Sequence, residues 1–216
     1  MEQENLVQRT HGGAILSDNI QKVKEYPYLV REIQNYNEKS RICKAAAELV
    51  EDGDTIFIDN SSTTIQMLKN INAKYQVTVI TNSIRLLLEN TLINNENLTM
   101  VAIGGIFRPK NYSLTGFLAN QWSKMFHPNK AFLSCYGVDT ESGLYDSNIH
   151  EIEVKRIMME LSQSTYIMAD NTKFNRRGVV FLNDFSNVDY IITDEPLTEE
   201  QEKGIEKYNI KLIIAQ

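Results

Sequence analysis

Seven short apolar runs, separated by amphipathic segments, constrain the fold of this chain more than any other feature of its sequence. Their length and their content of β-branched residues favour strands. The predicted strands are Thr55–Ile58, Val77–Ile80, Leu98–Ile103, Ala131–Tyr136, Thr165–Ala169, Tyr190–Ile192 and Ile210–Ala215. Helical patterns precede or separate most of them, at Lys39–Val50, Ser83–Glu89, Phe117–Phe126, Ile149–Leu161 and Glu199–Tyr208.

The apolar residues of these helical segments fall on one face. In the first segment Ile42, Ala45, Ala46, Leu49 and Val50 recur with helical spacing. Continuous apolar strands that alternate with such helices are typical of a mostly parallel sheet covered on both faces. The predicted fold class is therefore α/β, an open and mostly parallel Rossmann-like sheet with helices on both faces and right-handed crossovers.

The first 26 residues differ from the rest because they are polar and show no sustained period. We expect residues 1–26 to form an N-terminal arm or strap, and residues 27–216 to form one α/β domain. No apolar run approaches the ~18–20 residues that cross a bilayer, and the start does not resemble a signal peptide. Cys43 and Cys135 are far apart and predict buried reduced thiols. These features predict a cytoplasmic protein without a membrane partner.

Charge and motif content narrow the function classes. The chain has 22 basic and 28 acidic side chains, a net charge of −6, and no basic run, so it is poorly suited to grip DNA by itself. Its three histidines share no metal-ligand spacing, and it has no Walker sequence, Gly-x-Gly-x-x-Gly or Gly-x-Ser-x-Gly. We expect neither a metal nor a cofactor.

Ligands of such sheets bind beyond the carboxyl ends of the strands, where this sequence carries hydroxyl, amide, glycine and basic residues. The candidate binding residues at these ends are Asp59, Ser61, Ser62, Thr63, Thr64, Thr81, Asn82, Gly104, Gly105, Arg108, Asp139 and Lys173, and Lys155 on the predicted helix Ile149–Leu161 is a further candidate. Together they predict a pocket for a small polyhydroxylated anion.

The strongest single signal is the hydroxyl run from Ser61 to Thr64, which is followed by a helical pattern at Ile65, Leu68 and Ile71. A helix start binds phosphate through free N–H groups and the helix dipole, and hydroxyls add further donors. The alternative is that one of these hydroxyls caps the helix. Four in succession after a buried strand favour phosphate.

The remaining candidates carry open alternatives. Gly104 and Gly105 either form a simple turn or allow the backbone to approach a ligand closely. In the second case Arg108 would contact an anionic group of that ligand. Asp139 is a turn residue or a partner of sugar hydroxyls. Lys155 either forms a helix-surface ion pair with Glu151 or leans into the cleft.

Several short motifs, in order and spacing, resemble one family over essentially the whole chain. They are Val7–Ala14, Asn37–Lys39, Ala45–Ala47, Asp52–Asp59, Ser62–Thr64, Thr81–Asn82, Gly104–Gly105, Gly137–Val138, Gly143–Leu144, Glu151 with Lys155, Ala169–Asp170 and Lys173–Phe174. The chain resembles the sensor domain of DeoR-family bacterial transcription regulators.

The resemblance implies a fold shared with ribose-5-phosphate isomerase and coenzyme A transferases, used to sense a phosphorylated sugar. It assigns phosphate binding to the loop Ser61–Thr64 and to Lys173, although Ser61 stands where the family usually has glycine. It also implies a homo-oligomer that reaches DNA only through an N-terminal winged helix-turn-helix, which we do not find in this chain. The alternative function is an aldose–ketose isomerase on the same fold, with Asp139 or Glu151 as its carboxylate.

Overall fold

The computed structural model describes residues 7–10, 13–16 and 26–216, with the backbone alone for the first two stretches. Its strands are β1 (Val7–Thr10), β2 (Gly13–Leu16), β3 (Thr55–Ile58), β4 (Val77–Thr81), β5 (Leu98–Ala102), β6 (Ile106–Arg108), β7 (Ser113–Thr115), β8 (Lys130–Leu133), β9 (Gly137–Asp139), β10 (Gly143–Asp146), β11 (Ser164–Met168), β12 (Val180–Asn183), β13 (Tyr190–Thr193) and β14 (Lys211–Ile214). Its α-helices are α1 (Tyr28–Ile33), α2 (Tyr36–Ala47), α3 (Ile84–Ile93), α4 (Phe117–Ser123), α5 (Ile149–Leu161) and α6 (Glu199–Glu206).

Seven strands form one sheet in the order β14-β13-β11-β8-β3-β4-β5, and every neighbouring pair is parallel. From β3 the chain first adds β4 and β5 on one side, and then β8, β11, β13 and β14 on the other. The direction of winding therefore reverses between β3 and β8. In open α/β sheets this reversal leaves a crevice at the carboxyl ends of the two central strands, where ligands bind.

Both faces of the sheet are buried, as the continuous apolar runs predict. Along β3, Ile56 and Ile58 belong to one core cluster, whereas Phe57 belongs to the other, because successive side chains point to opposite faces. The cluster with Ile56 and Ile58 also contains the apolar residues of α2, and the cluster with Phe57 contains those of α5. The predicted α/β fold class, with a parallel sheet between helices, is confirmed.

All seven predicted strands lie in this sheet, with differences at their ends. The largest concerns Ala131–Tyr136, because β8 already ends at Leu133 and the next three residues leave the sheet to line the crevice. The helix predicted after Thr64 is also wrong. Two 3₁₀ turns, Thr64–Gln66 and Leu68–Asn70, replace it, and the hydroxyl of Thr64 bonds nearby backbone and side-chain oxygens.

Beyond the N-terminal arm, two smaller sheets were not predicted from the sequence. The hairpin β6–β7 packs beyond β4 and β5, and β9, β10 and β12 form an antiparallel sheet beside β8. Their strands have only three or four residues, which is too short for a clear alternation.

Most of the predicted N-terminal arm, residues 1–26, lies outside the described residues. Within it the backbone of β1 pairs with that of β2 in an antiparallel hairpin. In the part of the chain that the structure describes, no helix has the length and apolar character needed to cross a membrane. Cys43 and Cys135 are free and buried, as the sequence predicts.

Candidate functional site

A cleft of about 420 Å³ opens at the carboxyl ends of β3, β8 and β11, at the point where the winding of the sheet reverses. One wall is formed by the ends of these strands, including Ser62, Ser134 and Lys173. The opposite wall is formed by α1, the start of α2 and their junction, including Arg31 and Lys39. The cleft therefore lies between the sheet edge and the segment that leads into the domain.

The hydroxyl run divides into two pairs with different roles. Ser61 Oγ accepts hydrogen bonds from the backbone N–H groups of Thr63 and Thr64, both at 3.1 Å, so it caps the loop. Thr64 Oγ1 donates to Asp59 Oδ1 at 2.9 Å and is fully buried. Asp59 and Thr64 thus hold the loop from its buried side. Two of the N–H groups expected to bind phosphate, those of Thr63 and Thr64, already have a hydrogen-bond partner.

The hydroxyls of Ser62 and Thr63 instead contact two lysines of the cleft. Lys39 Nζ lies 3.3 Å from Ser62 Oγ, and Lys173 Nζ lies 3.2 Å from Thr63 Oγ1. Lys173 also donates to Ser134 Oγ at 2.6 Å. Two lysine ε-amino groups and three hydroxyls are thereby brought to one place, which is a donor set suited to phosphate oxygens.

The charge of the cleft is unbalanced. Five of its lining residues are basic and two, Asp146 and Asp170, are acidic. Within the described stretches no ion pair is formed by four of the basic residues, Arg31, Lys39, Lys173 and Arg176. The guanidinium of Arg176 lies 3.9 Å from the ring centre of Tyr136 and donates to the hydroxyl of the same residue, and both side chains line the cleft.

Lys155 also lines the cleft, but its charge is already matched. Its Nζ donates to Asp146 Oδ2 at 2.7 Å and to Ser134 O at 2.7 Å, and lies 3.3 Å from Asp59 Oδ2. Burial alone would lower the pKa of Lys155, but the carboxylates of Asp146 and Asp59 outweigh it and raise the pKa above its usual value. The helix-surface pair with Glu151 does not form, since both residues are buried and bond elsewhere.

The candidates after β4 and β5 do not line this cleft. Asn82 donates to Leu114 O at 3.3 Å, and its own carbonyl accepts from Leu114 N, so it clamps the β6–β7 hairpin. Thr81 Oγ1 donates to Ile58 O at 2.7 Å within the sheet. A Cβ on Gly105 would lie 2.6 Å from Thr115 O, so this glycine permits close approach of β7 rather than of a ligand. Gly104 has no such contact.

Arg108 and Asp139 are each held by a partner outside the cleft. Arg108 pairs with the buried carboxylate of Glu151, which also accepts from Asn111 at 3.1 Å and Ser113 at 2.8 Å. Asp139 bonds Arg177, and chiefly for this reason its pKa falls to about 2. It lines a separate surface depression next to α6.

Replacing Arg108 with methionine is therefore expected to leave anion affinity within about twofold of the wild type, while costing about 1–3 kcal/mol of stability because Glu151 loses its charged donor. Parallel measurement of chemical denaturation and anion binding checks both parts. A large loss of anion affinity at unchanged stability would instead mean that Arg108 belongs to the binding site.

Several residues of the cleft were not predicted from the sequence, although the position of one of them, Lys39, could have been recognised. Lys39 stands three residues before Ile42 and seven before Ala46, in register with the apolar stripe of α2. A lysine at a buried helix position indicates either a paired charge or a functional one. Arg31, Asn35 and Arg176 left no comparable signal, because their positions depend on how loops pack.

No group of three or more His, Cys, Asp or Glu side chains suited to hold a metal ion occurs in the described ranges. Burial raises the pKa of the Cys43 thiol to about 12 and that of Cys135 to about 11, so neither is a thiolate at neutral pH. The chemistry of the cleft is that of cations, hydroxyls and amides.

The curated proteins that this chain resembles are named as transcription regulators or repressors. The sequence model of the DeoR C terminal sensor domain matches residues 34–195. The HTH-type transcriptional regulator YulB of Bacillus subtilis (strain 168) is 37% identical over 98% of this chain and 80% of its own length. The regulator GolR of Listeria innocua is 30% identical over 100% of this chain and 84% of its own length. The glycerol-3-phosphate regulon repressor of Escherichia coli (strain K12) is 28% identical, over 91% and 76%.

Among solved structures, eIF2B beta from Chaetomium thermophilum matches with a TM-score of 0.54 and 16% identity, over 85% of this chain and 56% of that one. Ribose 5-phosphate isomerase A from Methanocaldococcus jannaschii matches with a TM-score of 0.48 and 15% identity, over 65% and 55%. The first of these likenesses concerns the fold alone. The family match covers most of the predicted domain, and the chain belongs to the DeoR C-terminal sensor domain family.

Proposed function

We propose that the cleft binds a phosphorylated sugar and that the chain senses this ligand, without turning it over, as the effector-binding part of a transcription regulator. The observation that carries the proposal is the convergence, on a hydroxyl-lined cleft, of basic side chains without ion pairs among the described residues. Lys39 and Lys173 flank the hydroxyls of Ser62 and Thr63. A bound anion would supply the missing counter-charge.

In this proposal the phosphate lies against Ser62 and Thr63 with Lys39 and Lys173 on either side. The sugar then extends towards amide and carboxylate groups that suit hydroxyl partners. Asn35 Nδ2 bonds Asp170 Oδ1 at 3.0 Å and Thr172 Oγ1 at 3.1 Å at the edge of the cleft. Arg176 and Tyr136 close the remaining side.

The relatives support the regulatory half of the proposal. Their names describe transcriptional regulators, and one is a repressor of a glycerol-3-phosphate regulon. Action on DNA through an N-terminal helix-turn-helix, a cytoplasmic location and homo-oligomerisation belong to the same proposal. On α4 the side chains of Phe117, Leu118 and Trp122 are exposed, which offers a second copy an apolar surface to pack against.

An isomerase is disfavoured by the position of its candidate carboxylates. Asp139 and Glu151 are bound by Arg177 and Arg108 and do not line the cleft. Asp170 does line it. Burial alone would raise its pKa, but Lys173, Thr172 and Lys39 outweigh burial and lower it. A carboxylate held in its ionised form is a weak base for removing a proton next to a carbonyl.

We expect one phosphorylated sugar to raise the unfolding midpoint by about 5–11 °C at a concentration of ~100 Kd, since binding then contributes about 2.7 kcal/mol and each kcal/mol moves the midpoint by roughly 2–4 °C. Thermal unfolding is measured against hexose, pentose, amino-sugar and glycerol phosphates. The matching free sugars and inorganic phosphate are the controls, and equal shifts from a sugar and its phosphate would contradict the proposal.

The sugar phosphate that gives the thermal shift can also be used to distinguish a sensor from an isomerase. Proton NMR in deuterated water should show no exchange at the carbon next to the carbonyl, even after long incubation with stoichiometric protein. Stereospecific deuterium incorporation that depends on the protein would favour the isomerase instead.

A further inference from the structure

Two lysine ε-amino groups, those of Lys39 and Lys173, lie on either side of one short loop in the cleft. Lys39 Nζ is 3.3 Å from Ser62 Oγ, and Lys173 Nζ is 3.2 Å from the hydroxyl of the next residue, Thr63. Lys39 also donates to the carbonyl of Arg31, the fourth residue of α1. It therefore touches both walls of the cleft at once.

Lys39 is the more deeply buried of the two, with 4% of its surface exposed, and no carboxylate of the described chain lies within ion-pairing distance. It stands at the end of the first turn of α2, where the helix dipole also disfavours a positive charge. A buried ammonium beside a second cation and without an anion is costly. The free site therefore favours a neutral amine at this position.

We propose, building on the proposed function, that binding of a dianionic phosphate group in this cleft is coupled to uptake of one proton by the ε-amine of Lys39. The proton arrives from solvent and converts the amine to an ammonium, and no other bond changes. The bound dianion supplies the counter-charge that the free site lacks. Lys39 thus selects a doubly charged anion over a neutral sugar.

The charged and titratable neighbours of Lys39 act in both directions, and together with burial their net effect is to lower its pKa. Arg31 on α1 and Lys173 after β11 oppose its charge, whereas Asp170 after β11 favours it. Cys43, one turn further along α2, is neutral because burial raises the pKa of its thiol to about 12. The loop after β3 faces Lys39 with the hydroxyl of Ser62, which does not titrate.

The sign of the pH dependence follows from these neighbours. Burial, together with the charge of Lys173, lowers the pKa of Lys39 to about 7. One pH unit above this value the neutral amine outnumbers the ammonium about ten to one. Proton uptake on binding should therefore grow from pH 6 to pH 8, and affinity should fall about fivefold between pH 7 and pH 8 as the proton becomes harder to obtain.

Sulfate is a suitable first probe because it stays a dianion throughout this range. We expect calorimetric titration in Tris and HEPES buffers, which differ in ionisation enthalpy, to give an uptake of about 0.5 proton per sulfate at pH 7 and about 0.9 at pH 8. The same titration is run at pH 8 with the sugar phosphate that gives the largest thermal shift.

Three variants distinguish the outcomes. Lys39→Met should fold, since the free site already favours a neutral side chain at this buried position, and should bind more weakly without proton uptake. Lys39→Arg should retain binding without uptake, and Lys124→Met, at an exposed lysine that directly follows α4, should behave as wild type. Binding without uptake, or uptake that persists in Lys39→Met, would overturn the assignment to Lys39 and leave the proposed function intact. If neither sulfate nor any sugar phosphate binds, both proposals fail together.

Discussion

Replacing Lys173 with methionine is expected to weaken sugar-phosphate binding by about 10- to 150-fold, because one charge-assisted hydrogen bond contributes about 1.5–3 kcal/mol. Among the described residues, the Nζ atom of Lys173 bonds only the hydroxyls of Thr63 and Ser134, and these can turn to other partners when it is removed. The unfolding midpoint of the free protein should therefore stay within about 2 °C of the wild type. Fluorescence or calorimetric titration and thermal unfolding of the same preparation measure the two quantities.

The same substitution at Lys124 is the matched control, because that side chain is exposed and lies outside the cleft. It should change neither affinity nor stability. If Lys173→Met instead lowers the midpoint of the free protein by many degrees, Lys173 has a structural role. If it changes neither quantity, the phosphate lies elsewhere.

The sheet could be predicted from the sequence because its strands are buried on both faces. A strand such as β3, with Ile56, Phe57 and Ile58 all inaccessible, is a continuous apolar run that needs no tertiary information to recognise. The β6–β7 hairpin had no such signature. It is held by backbone hydrogen bonds from Leu114 N to Asn82 O and from Ile84 N to Tyr112 O rather than by an apolar pattern.

The site could be predicted only in part, for a related reason. The carboxyl ends of parallel strands lie at one edge of the sheet, so the loop after β3 and Lys173 after β11 could be predicted to lie there. The sequence does not tell which side chains of a loop face outwards. Ser61 and Ser62 are chemically alike, yet Ser61 caps its own loop and Ser62 faces Lys39. Arg108 was predicted to bind the anion, because its partner Glu151 lies 43 residues away in the sequence and could not be recognised as a partner from the sequence alone.

Lys155 and Lys173 line the same cleft but differ in their partners, and this difference predicts opposite results. Lys155 is 5% exposed and lies between Asp59 and Asp146. Asp59 in turn accepts from the backbone of Ser61 and of Ser134, so the lysine holds together the ends of β3 and β8. Removing it leaves two buried carboxylates without a counter-charge.

We therefore expect Lys155→Met to lower the free energy of unfolding by about 3–5 kcal/mol, or about 6–20 °C in the midpoint, even without ligand. Adding Asp146→Asn should then cost far less than the same change does in the wild type, because the carboxylate it removes has already lost its partner. A double-mutant cycle by chemical denaturation measures this coupling. Additive effects, or a free protein as stable as wild type, would mean that the charge of Lys155 is held for the ligand, as that of Lys173 is.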